Sequence, residues 1–214
     1  MNRILYPKTI LLPLSADPIH QAHLTLIQKA SNLAEGGKVI VAITNNSLKE
    51  KSYLFSLDER FLMAKKAIED NLSVYLENIE VIKSEDLVPD LYLEHNCSLL
   101  LRGFRNQEDI DYEEKQIAQF KLINPNIVHK CVKSFGLSEW NYDLISSTLV
   151  KSFAKKNVDI SKYVPLFIKR AVEEKLNLQL KFGMVGEDFE QVKKTALDLK
   201  LFIQNNGSDL TLID

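Results

Sequence analysis

A run of consecutive apolar residues, Val39-Ile40-Val41-Ala42-Ile43, limits most strongly what this chain can fold into. A strand without polar residues on either face must be covered on both sides, which is typical of a parallel sheet. Other strand-like segments lie at residues 10–15, 79–82, 98–101 and 127–132. The segments between them carry apolar residues at helical spacing. Strands that alternate with helices predict an α/β fold, a Rossmann-like parallel sheet with helices on both faces.

Local signals mark the ends of several helices. Gly36-Gly37 ends a helical segment that starts near Leu24, and Ser56 with Glu59 has the pattern of a capping box. Further helices are predicted at residues 86–95 and 109–122, and from residues 145 and 165 onwards. Strands and helices are therefore expected to alternate up to about residue 175.

The pattern restarts after Lys175. Residues 178–184 look like a strand, a helical face follows, and residues 210–213 look like a second strand. We therefore predict two units, a main domain of residues 1–175 and a small C-terminal β-α-β appendage of residues 176–214. The sequence indicates no role for the appendage.

Composition and charge narrow the class of protein. The 214-residue chain has a formal net charge of −2, which argues against binding nucleic acid or an anionic membrane through net charge. Cys97 and Cys131 each lie in an apolar run, which is typical of free thiols in a reducing compartment rather than of a disulfide framework. No N-terminal signal pattern and no apolar run of membrane-spanning length is visible. We expect a cytoplasmic protein without nucleic-acid or membrane partners.

Two histidines follow the first predicted strand, in the stretch Asp17-Pro18-Ile19-His20-Gln21-Ala22-His23. The N-terminus of the helix that follows favours an anion, because its first N–H groups and its dipole point at one. Imidazoles three positions apart lie on one face, so His20 and His23 could both reach that anion. A turn with one capping and one buried histidine is the simpler alternative. The position at a strand-to-helix switch, where α/β sheets bind ligands, favours a binding site.

Anion-binding side chains follow four of the predicted strands. The groups are His20 and His23, Lys49 and Lys51, Arg102 and Arg105, and the helix start Ser146-Ser147-Thr148. Because the carboxyl ends of parallel strands share one edge, these groups predict a polyphosphate pocket there. Taken singly, each has a simpler interpretation as a solvated lysine, an arginine paired with an acid, or a helix cap.

Five motifs in register resemble the phosphopantetheine adenylyltransferase family from about Lys8 to Lys175. The Ser15–His23 stretch resembles the family's Thr/Ser-Phe-Asp-Pro segment followed by Thr/His-x-Gly-His. The others are Leu54-Phe55-Ser56-Leu57-Asp58-Glu59-Arg60, Leu101-Arg102-Gly103-Phe104-Arg105, Asp109-Ile110-Asp111-Tyr112-Glu113, and Trp140 followed by Ile145-Ser146-Ser147-Thr148-Leu149-Val150-Lys151. The resemblance implies transfer of AMP from ATP to 4′-phosphopantetheine.

The resemblance also implies roles for individual residues. His23 would contact the α-phosphate of ATP, with His20 beside it. Lys51 would bind phosphate on both substrates, although Lys49 is an alternative in the same loop. Arg102 would hold the pantetheine phosphate and the transferred group, and Ser15 would lie at the shared phosphate site. ATP would be held by Arg105, Glu113, Ser146, Ser147 and Thr148.

Mg²⁺ carried with ATP and a homohexameric assembly are implied in the same way. Three residues depart from the family pattern, since Leu14, Ala16 and Ala22 stand where the family has Gly, Phe and Gly. A methyl group in place of hydrogen at Ala22 could crowd the nucleotide. Two alternatives therefore remain: a related transferase that uses another phosphorylated acceptor or CTP, and a catalytically weakened homologue that binds nucleotide or coenzyme A.

Overall fold

The computed structural model describes residues 7–45, 52–133 and 145–185, with side chains described up to residue 177. The predictions for Lys49, Lys51 and Trp140 lie outside these ranges. Most of the predicted appendage, residues 186–214, also lies outside them.

A five-stranded parallel sheet forms the centre of the described structure. The strands are β1 Thr9–Leu14, β2 Lys38–Thr44, β3 Ile79–Ser84, β4 Leu99–Phe104 and β5 His129–Lys133. They lie in the order β3-β2-β1-β4-β5, and every neighbouring pair is parallel, for example Leu12 of β1 opposite Val41 of β2. The predicted Rossmann-like α/β architecture is confirmed.

Helices connect consecutive strands and cover the sheet. They are α1 Gln21–Leu33, α2 Leu57–Asn71, α3 Val88–Glu94, α4 Gln107–Ile123, α5 Ser147–Lys155 and α6 Leu166–Val185, with a 3₁₀ turn at Ser73–Asn78. The predicted capping box of α2 is present: the Glu59 N–H donates to Ser56 Oγ at 3.2 Å, and the Ser56 N–H donates to Glu59 Oε2 at 2.6 Å. Both orphan donors of the helix start are thereby satisfied.

The apolar run of residues 39–43 lies in the interior strand β2, and it is buried on both faces. Val39, Val41 and Ile43 pack in the core cluster beneath α1, α2 and α6. Ile40 and Ala42 point to the other face and pack with residues of α3 and α4. Because side chains on both faces of β2 are buried, the strand sequence does not alternate between apolar and polar residues.

The strand predicted at residues 178–184 is wrong, because these residues continue α6. The segment Leu178-Gln179-Leu180-Lys181-Phe182 alternates apolar and polar residues, which mimics a strand. Leu, Gln and Lys are also good helix formers, and extending an existing helix adds a hydrogen bond per residue without a new nucleus. The division into residues 1–175 and 176–214 stays a prediction. Of the described helices, none is long and apolar enough to cross a membrane.

Candidate active site

A cavity opens at the carboxyl edge of the sheet, where β1, β2 and β4 end. Ser15 and Arg102, two residues singled out from the sequence, both line it. The complete lining is Pro13, Leu14, Ser15, Thr44, Asn45, Asp86, Val88, Arg102, Gln116 and Phe120. The lining therefore combines polar side chains, among them one cation (Arg102) and one carboxylate (Asp86), with apolar ones such as Val88 and Phe120.

The two histidines stack at the start of α1. Their ring centroids are 3.7 Å apart with an angle of 22° between the planes. The backbone N–H of His20, the N-cap residue, donates to Nδ1 of His23 at 3.3 Å. An accepting Nδ1 means that neutral His23 carries its proton on Nε2, which leaves that N–H as a donor.

His20 is buried and neutral. It is 3% exposed, and Nδ1 has no hydrogen-bond partner among the described residues. Burial lowers the pKa of His20 well below 6.5, and the neighbouring His23 and Arg105 lower it further. The sequence left open two interpretations: two histidines that reach one anion, or a turn with one capping and one buried histidine. In the structure His20 is both the N-cap and a buried residue, and its ring packs directly on His23.

Arg102 is held at the cavity wall by an acidic partner. Its Nε and Nη2 donate to the two carboxylate oxygens of Glu113, at 2.5 and 3.0 Å. Nη2 also donates to Gln116 Oε1 at 3.0 Å, and Nη1 to the carbonyl of Pro13 at 3.3 Å. Glu113, expected beside ATP, here fixes the plane of the Arg102 guanidinium through a bidentate pair.

Arg105 pairs with Asp109 on the first turn of α4. Nε and Nη2 of Arg105 donate to Asp109 oxygens at 2.7 and 2.8 Å, and the Arg105 backbone N–H donates to Oδ2 at 2.9 Å. This hydrogen bonding raises the pKa of Arg105 and lowers the pKa of Asp109. Each arginine thus has the acidic partner of the simpler interpretation, but only Arg102 lines the cavity.

The serines expected to bind ATP lie at the start of α5. Ser146 is the N-cap, and its Oγ accepts the Leu149 N–H at 3.1 Å. The Ser147 hydroxyl donates to the carbonyl of Pro18 at 2.9 Å, which ties α5 to the segment before His20. Thr148 is exposed. The structure therefore brings Ser147 to the histidine segment.

Sequence reasoning missed a buried ion pair beneath this edge. Asp17 is fully buried and accepts from the backbone N–H groups of Leu54 and Phe55, both at 3.0 Å, and from Lys151 Nζ at 2.5 Å. The carboxylate links the histidine segment, the start of the α2 motif and α5. Asp17 and Lys151 both lie inside the quoted motifs, so the motifs themselves were the available signal.

Arg60 was also missed. It is 1% exposed and donates to the carbonyls of Ser15 and Thr44 at 2.6 and 3.0 Å, and to Asn45 Oδ1 at 2.5 Å. Its guanidinium carbon also lies 4.2 Å from the centroid of the Tyr53 ring. The glutamate-arginine pair of the α2 motif marked this position in the sequence.

The methyl group of Ala22 packs away from solvent. Ala22 lies in the first turn of α1, is 4% exposed and contacts Ile145 and Tyr163 in a small apolar cluster. Its φ is not positive, whereas that of buried Ala16 is +46°. A Cβ at position 22 therefore costs no left-handed strain. The strain of the substituted motif lies at Ala16 instead.

The described part of the chain contains no group of three or more His, Cys, Asp and Glu side chains that could hold a metal ion. The cationic and hydroxyl groups at the sheet edge are suited to phosphate oxygens rather than to a cation.

Comparison with known proteins defines the class of enzyme to which this chain belongs. Residues 15–153 match the profile of the cytidylyltransferase-like family, which makes the chain a nucleotidyltransferase. Over 166 residues it is 36% identical to the phosphopantetheine adenylyltransferase of Psychromonas ingrahamii, covering 77% of this chain and 94% of that protein. The chain belongs to the phosphopantetheine adenylyltransferase family.

Two solved structures share the fold. One is a nicotinate-nucleotide adenylyltransferase from Vibrio parahaemolyticus, with a TM-score of 0.53, 13% identity, and coverage of 78% of this chain and 99% of that one. The other is the Plasmodium falciparum nicotinic acid mononucleotide adenylyltransferase complexed with NaAD, with a TM-score of 0.55, 17% identity, and coverage of 86% and 100%. At these identities the likeness concerns the fold alone.

Proposed function

We propose that this chain transfers AMP from ATP to 4′-phosphopantetheine, giving dephospho-coenzyme A and pyrophosphate in coenzyme A synthesis. The observation that carries the choice of acceptor is the 36% identity to a phosphopantetheine adenylyltransferase across nearly all of that protein. The pyridine-nucleotide enzymes of the same fold are only 13% and 17% identical. A cavity lined by Arg102 and hydroxyl groups together with apolar side chains suits an acceptor that has a phosphate and an uncharged arm.

The reaction needs positioning rather than a general base. A phosphate oxygen of the acceptor, already ionised, attacks the α-phosphorus of ATP. The bond between that phosphorus and the bridging oxygen to the β-phosphorus breaks, and its electron pair leaves with pyrophosphate. Negative charge is redistributed over phosphate oxygens throughout, so fixed donors and cations supply the catalysis.

His23 is the proposed donor to the α-phosphate. Its Nδ1 accepts the His20 N–H, so Nε2 is the ring nitrogen that carries the proton in neutral His23. His20, stacked on the ring and neutral, supports the orientation of His23.

The acceptor phosphate is assigned to Ser15 and Arg102, because both line the cavity. Lys51, with Lys49 as the alternative, would add a cation from residues outside the described ranges. Four of the five N–H groups of Arg102 already donate, to Glu113, Gln116 and the Pro13 carbonyl, so the acceptor phosphate would bind the remaining Nη1 N–H or displace one of these partners.

The ATP side is assigned to the elements around the histidines. Arg105 lies close enough to His20 to lower its pKa, so its charge reaches the proposed phosphate position. The hydroxyls of α5 adjoin the same segment through the Ser147–Pro18 contact. The full set proposed for ATP is Arg105, Glu113, Ser146, Ser147 and Thr148.

Mg²⁺ is proposed to arrive with ATP, coordinated by its phosphates, since the described side chains offer phosphate-binding groups rather than a metal-binding cluster. A homo-oligomer, a hexamer by family resemblance, and a cytoplasmic location stay predictions. So does the absence of nucleic-acid and membrane partners.

Pyrophosphate release tests the proposal and its alternatives. The protein is incubated with Mg²⁺ and ATP, with and without 4′-phosphopantetheine, and the series is repeated with CTP and with nicotinate mononucleotide as acceptor. The proposal expects release only when ATP and 4′-phosphopantetheine are both present. Release with CTP or the other acceptor would favour a related transferase. ATP binding without release in any mixture would favour a catalytically weakened homologue.

A further inference from the structure

Arg60 is a buried cation that has no assigned role in the proposed reaction. It lies on the first turn of α2, and all its hydrogen bonds in the described structure go to uncharged oxygens. Besides Ser15, Thr44 and Asn45, its Nε donates to the Phe55 carbonyl at 3.3 Å. Charged side chains are seldom fully buried without a partner of opposite charge, because removing an ion from water is energetically costly.

The neighbouring carboxylate does not neutralise this charge. Asp17 lies near enough to act on Arg60 through space, but its oxygens are taken by two backbone N–H groups and by Lys151. Lys151 is a second cation at Asp17, so two described cations, Arg60 and Lys151, lie near this one carboxylate. In a water-poor environment a cation attracts anions more strongly than it would in bulk solvent.

The partners of Arg60 are themselves parts of the cavity wall. Ser15, Thr44 and Asn45 all line the cavity. Ser15 and Thr44 come at the ends of the neighbouring strands β1 and β2, so one guanidinium joins these two strands at the edge where the cavity opens. Its rigid planar fork holds these oxygens in a fixed geometry, which the three rotatable donors of a lysine ammonium would not do.

We propose that Arg60 is a positioning residue for the acceptor phosphate: it fixes the Ser15–Thr44–Asn45 wall through its hydrogen bonds and places a positive charge behind that wall. The proposal rests on the proposed function for the identity of the acceptor. It predicts a selective effect, because Ser15 is the one shared phosphate-site residue that Arg60 contacts in the described structure, and the groups assigned to ATP on α4 and α5 make no described contact with Arg60. A purely structural arginine would instead affect both substrates, or only the stability.

The test compares Arg60→Met and Arg60→Lys with Lys66→Met. Lys66 is the matched control, since it is a cation of the same helix that pairs on the surface with Asp70 at 2.9 Å. Calorimetry gives the dissociation constants of 4′-phosphopantetheine and of ATP for each full-length variant. Steady-state pyrophosphate release gives KM for each substrate and kcat, and circular dichroism reports folding.

We expect Arg60→Met to raise the dissociation constant and KM for 4′-phosphopantetheine by roughly 10–100-fold, the range for losing hydrogen bonds and charge at one group. The dissociation constant for ATP should change by less than about threefold. Arg60→Lys should recover part of the acceptor affinity, because the charge is kept and the fork is lost. If Arg60→Met does not fold, Arg60→Lys and Asn45→Ala carry the test, each with a smaller selective loss.

Equal losses for ATP and acceptor, or unchanged acceptor affinity in folded variants, would overturn the role of Arg60. These outcomes are distinguishable from failure of the proposed function. Wild-type protein that neither binds nor adenylylates 4′-phosphopantetheine overturns that function and this inference together. Normal wild-type turnover with unselective Arg60 variants overturns the inference alone.

Discussion

The imidazole of His20 stacks on that of His23 at 3.7 Å, and the His20 backbone N–H donates to Nδ1 of the same partner. These two contacts fix both the position and the tautomer of His23. A ring fixed in this way is preorganised for the role proposed for His23, because electrostatic stabilisation of a transition state requires donors already in place.

Replacing His23 tests this role. His23→Ala should lower kcat by ~10²–10³, the range for loss of one preorganised donor, while the dissociation constant of ATP changes much less. Pyrophosphate release and calorimetry give the two quantities. His95→Ala is the control, because His95 ends α3 just before β4 begins, at the opposite edge of the sheet. Unchanged turnover in His23→Ala would remove the residue from the mechanism.

Burial of neutral His20 makes stability depend on pH. The pKa of His20 is lowered in the folded chain and near 6.5 in the unfolded chain. As pH falls below 6.5, His20 takes up a proton in the unfolded chain but stays neutral in the folded chain. The free energy of unfolding then falls by up to about 1.4 kcal/mol per pH unit for this group.

Urea unfolding at pH 8, 6 and 5 measures the effect, with His20→Gln as the comparison. His129, whose pKa is also lowered, titrates in the same direction. The difference between wild type and variant therefore reports His20. Parallel pH profiles for the two proteins would show that folding does not lower the pKa of His20.

The two arginines should have separable effects. Arg102→Ala should mainly raise KM for 4′-phosphopantetheine and slow transfer, since Arg102 lines the cavity. Arg105→Ala should mainly weaken ATP binding. Substitution by Lys should not fully restore either, because each arginine uses a bidentate contact. Identical kinetic defects in both alanine variants would indicate a structural loop rather than a divided site.

Ala22→Gly addresses the departure from the family's glycine. The Ala22 methyl packs with Ile145 and Tyr163, so its loss should lower the free energy of unfolding by roughly 1–2 kcal/mol, from helix propensity and a buried methyl. Exposed Ala118→Gly, inside α4, measures the propensity part alone. Turnover should stay near the wild-type value. A large gain of ATP binding or turnover in Ala22→Gly would show that the methyl blocks the site.

Local patterns predicted the strands and helices of the sheet, because hydrophobic periodicity and caps such as Ser56–Glu59 act within a few residues. They also singled out His20, His23 and Arg102, while Ser15 was named only through the family resemblance. Contacts between distant residues were not accessible in this way. Asp17 and Lys151 are 134 positions apart and Arg60 and Ser15 are 45 apart, so only the folded sheet edge brings them together. The error at residues 178–184 arose because one alternating pattern suits both a strand and the end of a long helix.

Formation of dephospho-coenzyme A is the most direct test of the proposed adenylyl transfer. The full-length protein is incubated with Mg²⁺, ATP labelled at the α-phosphate and 4′-phosphopantetheine, and the products are separated and weighed by mass spectrometry. The account predicts labelled dephospho-coenzyme A and pyrophosphate in equal amounts, with no labelled product when the acceptor is omitted. Folded protein that forms no dephospho-coenzyme A, or that forms a cytidylyl product with CTP more efficiently, would contradict it.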